Sequence, residues 1–186
     1  KRFDREDNQR IHMEDFAQIL VKYPHEKYTS ANYENIGKVI YDFSGDGLAD
    51  AQQFARRLLV NILLANGDAH LKNWSFLYPD KITPRLSPAY DIVTTNVYIE
   101  NETQYALNLG KTKEWYTVTV AHFQSWADKS GIPWRAIKPH LDDTMTKARE
   151  LWPEALKALP MDEAHKDTLR EHWVKLHDEF KINAIK

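Results

Sequence analysis

NGDAHLKN, residues 66–73, is a polar stretch between an apolar segment and a segment with strand-like alternation. Two of its side chains, Asp68 and Asn73, carry oxygen atoms five positions apart along the chain. Asn, Asp and Gly are also common in turns, where their side chains bond to the local backbone. The segments on either side therefore decide between a simple turn and a functional loop.

The segment before the loop, residues 51–66, predicts a buried helix. Apolar side chains recur along it at helical spacing: Phe54, Leu58, Ile62 and Ala65. Its second half is apolar on nearly every side, which is typical of a helix inside the core. We expect Asp50 to be the N-cap and Gly67 to end the helix in a left-handed conformation. Such a helix would be a rigid support for a polar loop.

The segment after the loop predicts a β-hairpin. Residues 74–78 and 82–92 have strand-like composition and are separated by a turn-like Pro-Asp-Lys sequence. Two prolines in the second strand predict irregular pairing there. A hairpin of this length would return Asp91 to the neighbourhood of Asn73.

Asp68, Asn73 and Asp91 together would provide the groups that phosphoryl transfer from a nucleotide needs. That reaction requires metal ions to neutralise phosphate charge and one group to orient the attacking hydroxyl. Magnesium prefers oxygen ligands and takes only one or two of them from side chains. Asn73 and Asp91 suit the metal. Asp68 stands five positions before Asn73, the spacing of protein-kinase catalytic loops, and suits the base.

The loop, followed by LSPAYDI at residues 86–92, resembles the catalytic loop and metal-binding segment of HipA-type serine/threonine kinases, the toxins of bacterial toxin–antitoxin modules. Other matching stretches occur in the family's order: KRFDR at 1–5, MEDF at 13–16 and ALNLG at 106–110. The resemblance covers most of the chain. It implies a mainly α (α+β) fold, the C-terminal lobe of a protein-kinase-like fold, with a helical bundle and a small β-hairpin that carries the metal-binding Asp.

The resemblance also implies residue roles. Asp68 corresponds to the catalytic Asp, and Asn73 and Asp91 correspond to the metal ligands. The residues implied to lie against the nucleotide are Arg2, Phe3, His70, Lys72 and Tyr90. Ordinary protein kinases differ, because no H-R-D sequence precedes this loop and Ile and Val, not Phe and Gly, follow Asp91.

The implied cofactors are ATP and Mg²⁺. The implied substrate is a protein, such as a translation factor of the aminoacyl-tRNA synthetase class. The implied partner is a HipB-like helix-turn-helix antitoxin, through which the protein would meet DNA only indirectly.

Composition is consistent with this interpretation. The chain has 186 residues and a formal net charge of -2, which favours neither nucleic acid nor an anionic membrane. No apolar run approaches the roughly 20 residues that cross a bilayer. Cysteine is absent, so disulfides, thiolate zinc sites and cysteine nucleophiles are excluded. A reducing cytoplasm fits that absence.

No G-x-G-x-x-G sequence for covering nucleotide phosphates is present. We therefore expect residues 1–186 to be one domain, the larger C-terminal lobe of a kinase whose nucleotide-cradling lobe precedes it. On this interpretation the fragment alone is inactive.

Periodic apolar positions predict the remaining helices, over residues 10–22, 33–43, 118–129, 137–152 (ended by Pro153) and 169–180. Residues 103–109 predict a strand without an identifiable partner. Three histidines, His165, His172 and His177, lie on this last helix or just before it, but their spacing does not match a metal-binding motif.

Two other functions are compatible with parts of the sequence. Small-molecule kinases of the aminoglycoside or choline type carry a G-D-x-H-x-x-N element close to residues 67–73, but they place an acidic metal segment where this chain has SPAYD. A non-catalytic scaffold that binds antitoxin or DNA is the second alternative. The presence of all three polar residues favours the kinase.

Overall fold

The protein consists of α-helices and short antiparallel strands. A computed structural model describes residues 2–6, 9–29 and 31–183. The helices within these ranges are α1 (Phe16–Ile19), α2 (Tyr33–Phe43), α3 (Gly47–Leu63), α4 (Val120–Ser130), α5 (Trp134–Ala158) and α6 (Glu163–Lys175). The strands are β1 (Arg5–Glu6), β2 (Gln9–Arg10), β3 (His12–Asp15), β4 (Ser75–Tyr78), β5 (Arg85–Leu86), β6 (Gln104–Leu109) and β7 (Thr112–Glu114). The predicted mainly α fold with small sheets is confirmed.

Helix α3 is the centre of the core. Its fully buried side chains include Phe54, Leu59 and Leu63. Each buried apolar side chain of this size contributes about 1.5–3 kcal/mol to stability. Polar groups on the other face attach α3 to α5: Arg56 Nη1 donates to Asp143 Oδ2 at 2.6 Å. Helix α3 is therefore held by apolar packing on one face and by an ion pair to α5 on the other.

The first turn of α3 differs from the prediction. Its N-cap is Asp46, whose side chain accepts from the backbone N–H of Ala49 at 3.2 Å. Asp50 is instead buried inside the helix and accepts hydrogen bonds from the Arg85 guanidinium and from the Leu86 backbone N–H. These bonds hold the Asp50 carboxyl pKa below its ordinary value despite the opposing effect of burial. Asp50 thus fixes β5 against α3.

The last turn of α3 also differs. The helix ends at Leu63, and the left-handed residue is Ala65, with φ 52°, not Gly67. Side chains of α6 satisfy the carbonyls at this end. His172 Nε2 bonds to the Ile62 oxygen at 2.7 Å, and Trp173 Nε1 donates to the Leu63 oxygen at 2.8 Å.

The hairpin belongs to a three-stranded antiparallel sheet in the order β3-β4-β5. The helix predicted over residues 10–22 is wrong, because residues 12–15 pair with β4 and only the single turn of α1 follows. Pairing with a buried strand outweighs a weak helical period. The return strand is irregular, as its prolines predict, since only Arg85 and Leu86 pair with β4. Asp91 lies in the segment beyond it.

Two of the predicted helices, α2 and α4, are confirmed. Helix α5 does not end at Pro153, because the buried Pro153 and Leu156 continue its apolar face against the core. Helix α6 ends at Lys175, earlier than predicted, although Phe180 beyond it is buried. Strand β6 pairs with β7. Among the described residues, no helix combines the length and the apolar composition that crossing a membrane requires.

The buried His172 makes folding sensitive to acid. Burial, opposed by the bond to Ile62, lowers the pKa of its imidazole from 6.5 to about 4. In the unfolded chain the same group binds a proton near 6.5, so stability should fall as the pH drops from 6.5 towards 4. Between pH 7 and pH 5 the loss is about 2 kcal/mol. In urea denaturation at pH 7 and pH 5, the free energy of unfolding of His172→Gln should fall less than that of the unmodified chain.

His177→Gln is the matched control, since the His177 side chain is 43% exposed. That variant should keep the acid sensitivity of the unmodified chain. Equal pH dependence in all three proteins would contradict the assignment to His172.

Candidate active site

The side chains of Asn73 and Asp91 meet as the sequence predicts. Asn73 Nδ2 donates to Asp91 Oδ2 at 2.5 Å. Asn73 belongs to a short 3₁₀ turn, Leu71–Asn73, and is buried, whereas Asp91 is exposed. The other amide atom, Asn73 Oδ1, is buried and has no hydrogen-bond partner among the described residues. A buried acceptor without a partner costs free energy, so this oxygen is suited to a ligand.

The pair fits a hard cation such as Mg²⁺. It offers one amide oxygen and one carboxylate, which is the ligand type and number that Mg²⁺ usually takes from a protein. In the part of the chain that the structure describes, no group of three or more His, Asp or Glu side chains could hold a metal. A magnesium ion here would therefore complete its coordination with water or phosphate oxygens.

The backbone at Asp91 is in the left-handed region, with φ 57°. Residues other than Gly adopt this region at a cost, although Asp and Asn tolerate it better than most. The conformation is held from outside, because Asn66 Nδ2 donates to the Asp91 carbonyl oxygen at 3.4 Å. Unfavourable backbone angles often occur at functional sites.

Asn66 connects the three parts of the site, a role that the sequence analysis missed. Its side chain is almost fully buried. It donates to Asn61 Oδ1 on α3 at 2.7 Å and accepts from the Asp68 backbone N–H at 3.1 Å. With the bond to Asp91, one amide joins the helix, the loop and the segment that carries Asp91. The available signal was a pair of Asn residues, 61 and 66, in the otherwise apolar second half of the predicted helix.

The carboxylate of Asp68 is open to solvent on one side. About half of its side chain, 51%, is exposed. Tyr28 Oη donates to Asp68 Oδ1 at 2.5 Å, and His70 Nε2 lies 3.9 Å from the same oxygen. Burial and the bond to Asp68 raise the pKa of Tyr28 to about 12, so its hydroxyl stays protonated and donates. Tyr28 is a second residue that the sequence analysis missed.

His70 lies within the electrostatic reach of both carboxylates. Burial lowers its pKa below 6.5, while the charges of Asp68 and Asp91 oppose that shift. The imidazole is therefore mostly neutral at pH 7. Its Nδ1 is buried and has no hydrogen-bond partner among the described residues. The charges of Asp68 and Asp91 thus both act on His70, whose Nε2 lies 3.9 Å from Asp68 Oδ1.

The other residues that are predicted to lie against the nucleotide differ in their contacts and in their exposure to solvent. The Tyr90 hydroxyl donates to the Lys72 carbonyl oxygen at 2.8 Å and bonds to Ser75 Oγ at 2.5 Å. The Tyr90 ring contacts Phe3, with centroids 5.7 Å apart, so the N-terminal segment reaches the Asp91 segment. The Arg2 guanidinium forms an ion pair with Asp4 at 2.7 Å and is largely exposed. The Lys72 side chain is also exposed.

Known proteins share this arrangement of elements and sequence. The family model "HipA-like C-terminal domain" matches residues 1–152. A Sinorhizobium fredii protein named "Putative kinase Y4dM" is 40% identical over 182 residues, which are 97% of this chain and 44% of that protein. The serine/threonine-protein kinase toxin HipA of Shewanella oneidensis is 27% identical over 114 residues, 61% of this chain and 26% of the toxin.

The fold is also similar to a solved structure. A chain from the complex of Shewanella oneidensis HipA, HipB and operator DNA superposes with a TM-score of 0.75. The match covers 94% of this chain and 46% of that one, at 22% sequence identity. The likeness therefore shows a common fold. The chain spans less than half the length of each of these proteins.

The buried amide of Asn66 should contribute measurably to stability. Asn66→Ala removes its bonds to Asn61, Asp68 and Asp91 and leaves buried polar groups without partners. We expect the free energy of unfolding to fall by about 1–3 kcal/mol in urea denaturation. Asn108→Ala, at an exposed position of β6, is the control and should change stability little. Equal effects of the two substitutions would exclude the linking role of Asn66.

Proposed function

The chain belongs to the family of HipA-like C-terminal domains, and from that premise we propose that Asp68, Asn73 and Asp91 form the phosphotransfer site of an ATP- and Mg²⁺-dependent serine/threonine protein kinase. The family match and the kinase names of the relatives support the class of activity. The contact between Asn73 and Asp91 is the observation that carries the assignment.

In this proposal Asn73 Oδ1 and the Asp91 carboxylate hold magnesium. The unpartnered, buried oxygen of Asn73 supports that role, because a cation would satisfy it. The left-handed backbone of Asp91 directs this residue away from regular strand pairing and is fixed by Asn66. When bound, the metal neutralises phosphate charge during transfer.

Asp68 is the proposed base. Its carboxylate is accessible and already accepts a hydrogen bond from the Tyr28 hydroxyl. It can accept a second hydrogen bond from the hydroxyl of a substrate. A serine or threonine oxygen that donates to Asp68 would be oriented towards the terminal phosphate of ATP. The proton of that hydroxyl passes to Asp68.

The remaining residues are proposed to hold the nucleotide. Phe3 and Tyr90 are in contact and would form one wall of the site, with Arg2 beside Phe3 at the adenine. His70, which is buried and mostly neutral, would orient the loop and touch phosphate without adding a full positive charge. Lys72, with an exposed ammonium group, is free to approach the phosphates.

The activity is assigned to a longer protein that contains this lobe, since the relatives are more than twice as long as the matched region. We propose that a nucleotide-cradling lobe is needed and that residues 1–186 alone do not turn over. By analogy with the named toxin, the protein would act as a kinase toxin. The resemblance of the loop implies that it would act in the cytoplasm on a translation factor such as an aminoacyl-tRNA synthetase. A HipB-like antitoxin would bind it and connect it to DNA.

Replacing the base tests the reaction. Asp68→Asn in the whole protein should lower transfer from ATP to a mixture of purified bacterial aminoacyl-tRNA synthetases by about 10²–10⁴-fold. The substitution is nearly isosteric, so the melting temperature should change little. Asp142→Asn, at a half-exposed position of α5, should retain full activity. Full activity in Asp68→Asn would exclude Asp68 as the base.

Replacing the metal ligand tests nucleotide binding. In a thermal-shift titration of the whole protein, ATP should raise the melting temperature more with Mg²⁺ than without it. Asp91→Ala should abolish the magnesium-dependent part, because one of two protein ligands is lost, while Asp142→Ala should preserve it. An unmodified protein that shows no response to nucleotide would contradict the kinase and favour a non-catalytic scaffold.

A further inference from the structure

A polar groove opens beside Asp68, on the side of Tyr28. Its walls include Tyr28, Gly67, Glu102 and Lys113, and its floor follows the first residues of β6. The groove has a volume of about 440 Å³. It is therefore large enough to receive several side chains or a short length of polypeptide.

Tyr28 is held firmly at the mouth of the groove. Its ring packs edge-on against His70, with centroids 5.0 Å apart. The carbonyl oxygen of the preceding residue, Lys27, accepts from the Leu71 backbone N–H at 3.4 Å, and Lys113 Nζ lies 3.4 Å from the Tyr28 carbonyl oxygen. The Tyr28 hydroxyl is thus aimed at Oδ1 of Asp68 by contacts from both the loop and β7.

Gly67 joins the groove to the catalytic loop. A Cβ atom at this position would overlap the Glu102 carboxyl and approach the Gln104 carbonyl oxygen to 2.9 Å. Glu102 is in turn bonded to Thr95 Oγ1, which accepts from the Gly67 backbone N–H at 2.7 Å. Because residue 67 has no side chain, the strand that lines the groove lies directly against the loop that carries Asp68.

The charges near the groove indicate that the triphosphate of the nucleotide lies elsewhere. Glu102 lines the groove beside Gly67, the residue that precedes Asp68, and burial together with the Asp68 charge raises the pKa of the Glu102 carboxyl. The Lys113 ammonium group is held by the Tyr28 and Ala106 carbonyl oxygens, so at the Gly67 end of the groove the carboxyl charges disfavour phosphate groups. The triphosphate would therefore lie on the side of Asn73 and Asp91, which leaves the groove for the group that receives the phosphoryl.

We propose that the groove binds the polypeptide segment of the protein substrate that presents its serine or threonine hydroxyl to Asp68, and that the Tyr28 hydroxyl orients Asp68 for this task. The inference rests on the proposed function. Tyr28 occupies Oδ1, so the exposed remainder of the carboxylate is available to the incoming hydroxyl. In the reaction the substrate oxygen bonds to the terminal phosphorus, the bond from that phosphorus to the ADP oxygen breaks, and Asp68 takes the hydroxyl proton.

Blocking the groove tests where the acceptor binds. Gln104 is an exposed residue of β6 in the groove, and Asn108 is an exposed residue of the same strand outside it. In the whole protein, with ATP, Mg²⁺ and a mixture of purified bacterial aminoacyl-tRNA synthetases, Gln104→Trp should raise the apparent KM for the acceptor at least tenfold. It should leave the thermal shift with ATP and Mg²⁺ unchanged. Asn108→Trp should leave both the apparent KM and the thermal shift unchanged.

Removing one hydroxyl tests the positioning of the base. Tyr28→Phe should lower kcat for transfer about tenfold with little change in the apparent KM, and it should raise the share of ATP that is hydrolysed instead of transferred. A purely structural role of Tyr28 would lower the melting temperature without changing that share. Tyr23→Phe, in the same segment at a residue that is 70% exposed, is the control.

The outcomes distinguish the assignments of the groove and Tyr28 from the proposed kinase activity. If transfer is lost in Asp68→Asn but is equal in Gln104→Trp and Asn108→Trp, the groove is not the acceptor site. The proposed kinase activity would still stand. An unchanged kcat and an unchanged hydrolysed share in Tyr28→Phe would overturn the positioning role. No transfer by the unmodified protein would count against the proposed function itself, and the groove assignment would fail with it.

Discussion

The carbonyl groups at the C-terminal end of α3 cannot be satisfied within that helix, and their pairing determines how the rest of the site is built. His172 and Trp173 bond to the last carbonyls from α6, more than one hundred residues later in the chain. These bonds fix the point at which the backbone leaves the helix and turns at Ala65 into the loop. The position of Asp68 therefore depends on a helix that contributes no group to the site.

Amide side chains continue this support from the helix to the proposed metal ligand. Asn61 bonds to Asn66, and Asn66 bonds to the backbone of both Asp68 and Asp91. Asn73 then contacts the Asp91 carboxylate directly. Amides suit such positions because they both donate and accept while adding no charge beside the carboxylates. Buried networks of this kind stabilise one arrangement when their members are paired.

The sequence predicts the helices and the approach of Asp91 to Asn73 better than it predicts the ends of α3 and the hydrogen bonds around Asp68. Residue periodicity was sufficient for α2 and α4, and the length of the hairpin was sufficient to bring Asp91 to Asn73. Both ends of α3 were misplaced, because Asp50 and Gly67 have ordinary capping identities but are used in tertiary contacts. Strand β3 was also missed, because its conformation depends on pairing with β4, which lies far away in the sequence. Tyr28 gave no local signal, because it meets Asp68 from 40 positions away.

The left-handed backbone of Asp91 favours a short polar side chain at that position, although Ala65 shows that other residues of this chain also adopt the region. Glycine would accept the conformation but has no side-chain oxygen, whereas glutamate has the oxygen but not the short side chain that makes this region tolerable. Asparagine and aspartate are the residues that meet both requirements. An exchange between aspartate and asparagine is therefore the substitution at this position that keeps a side-chain oxygen at the lowest backbone cost.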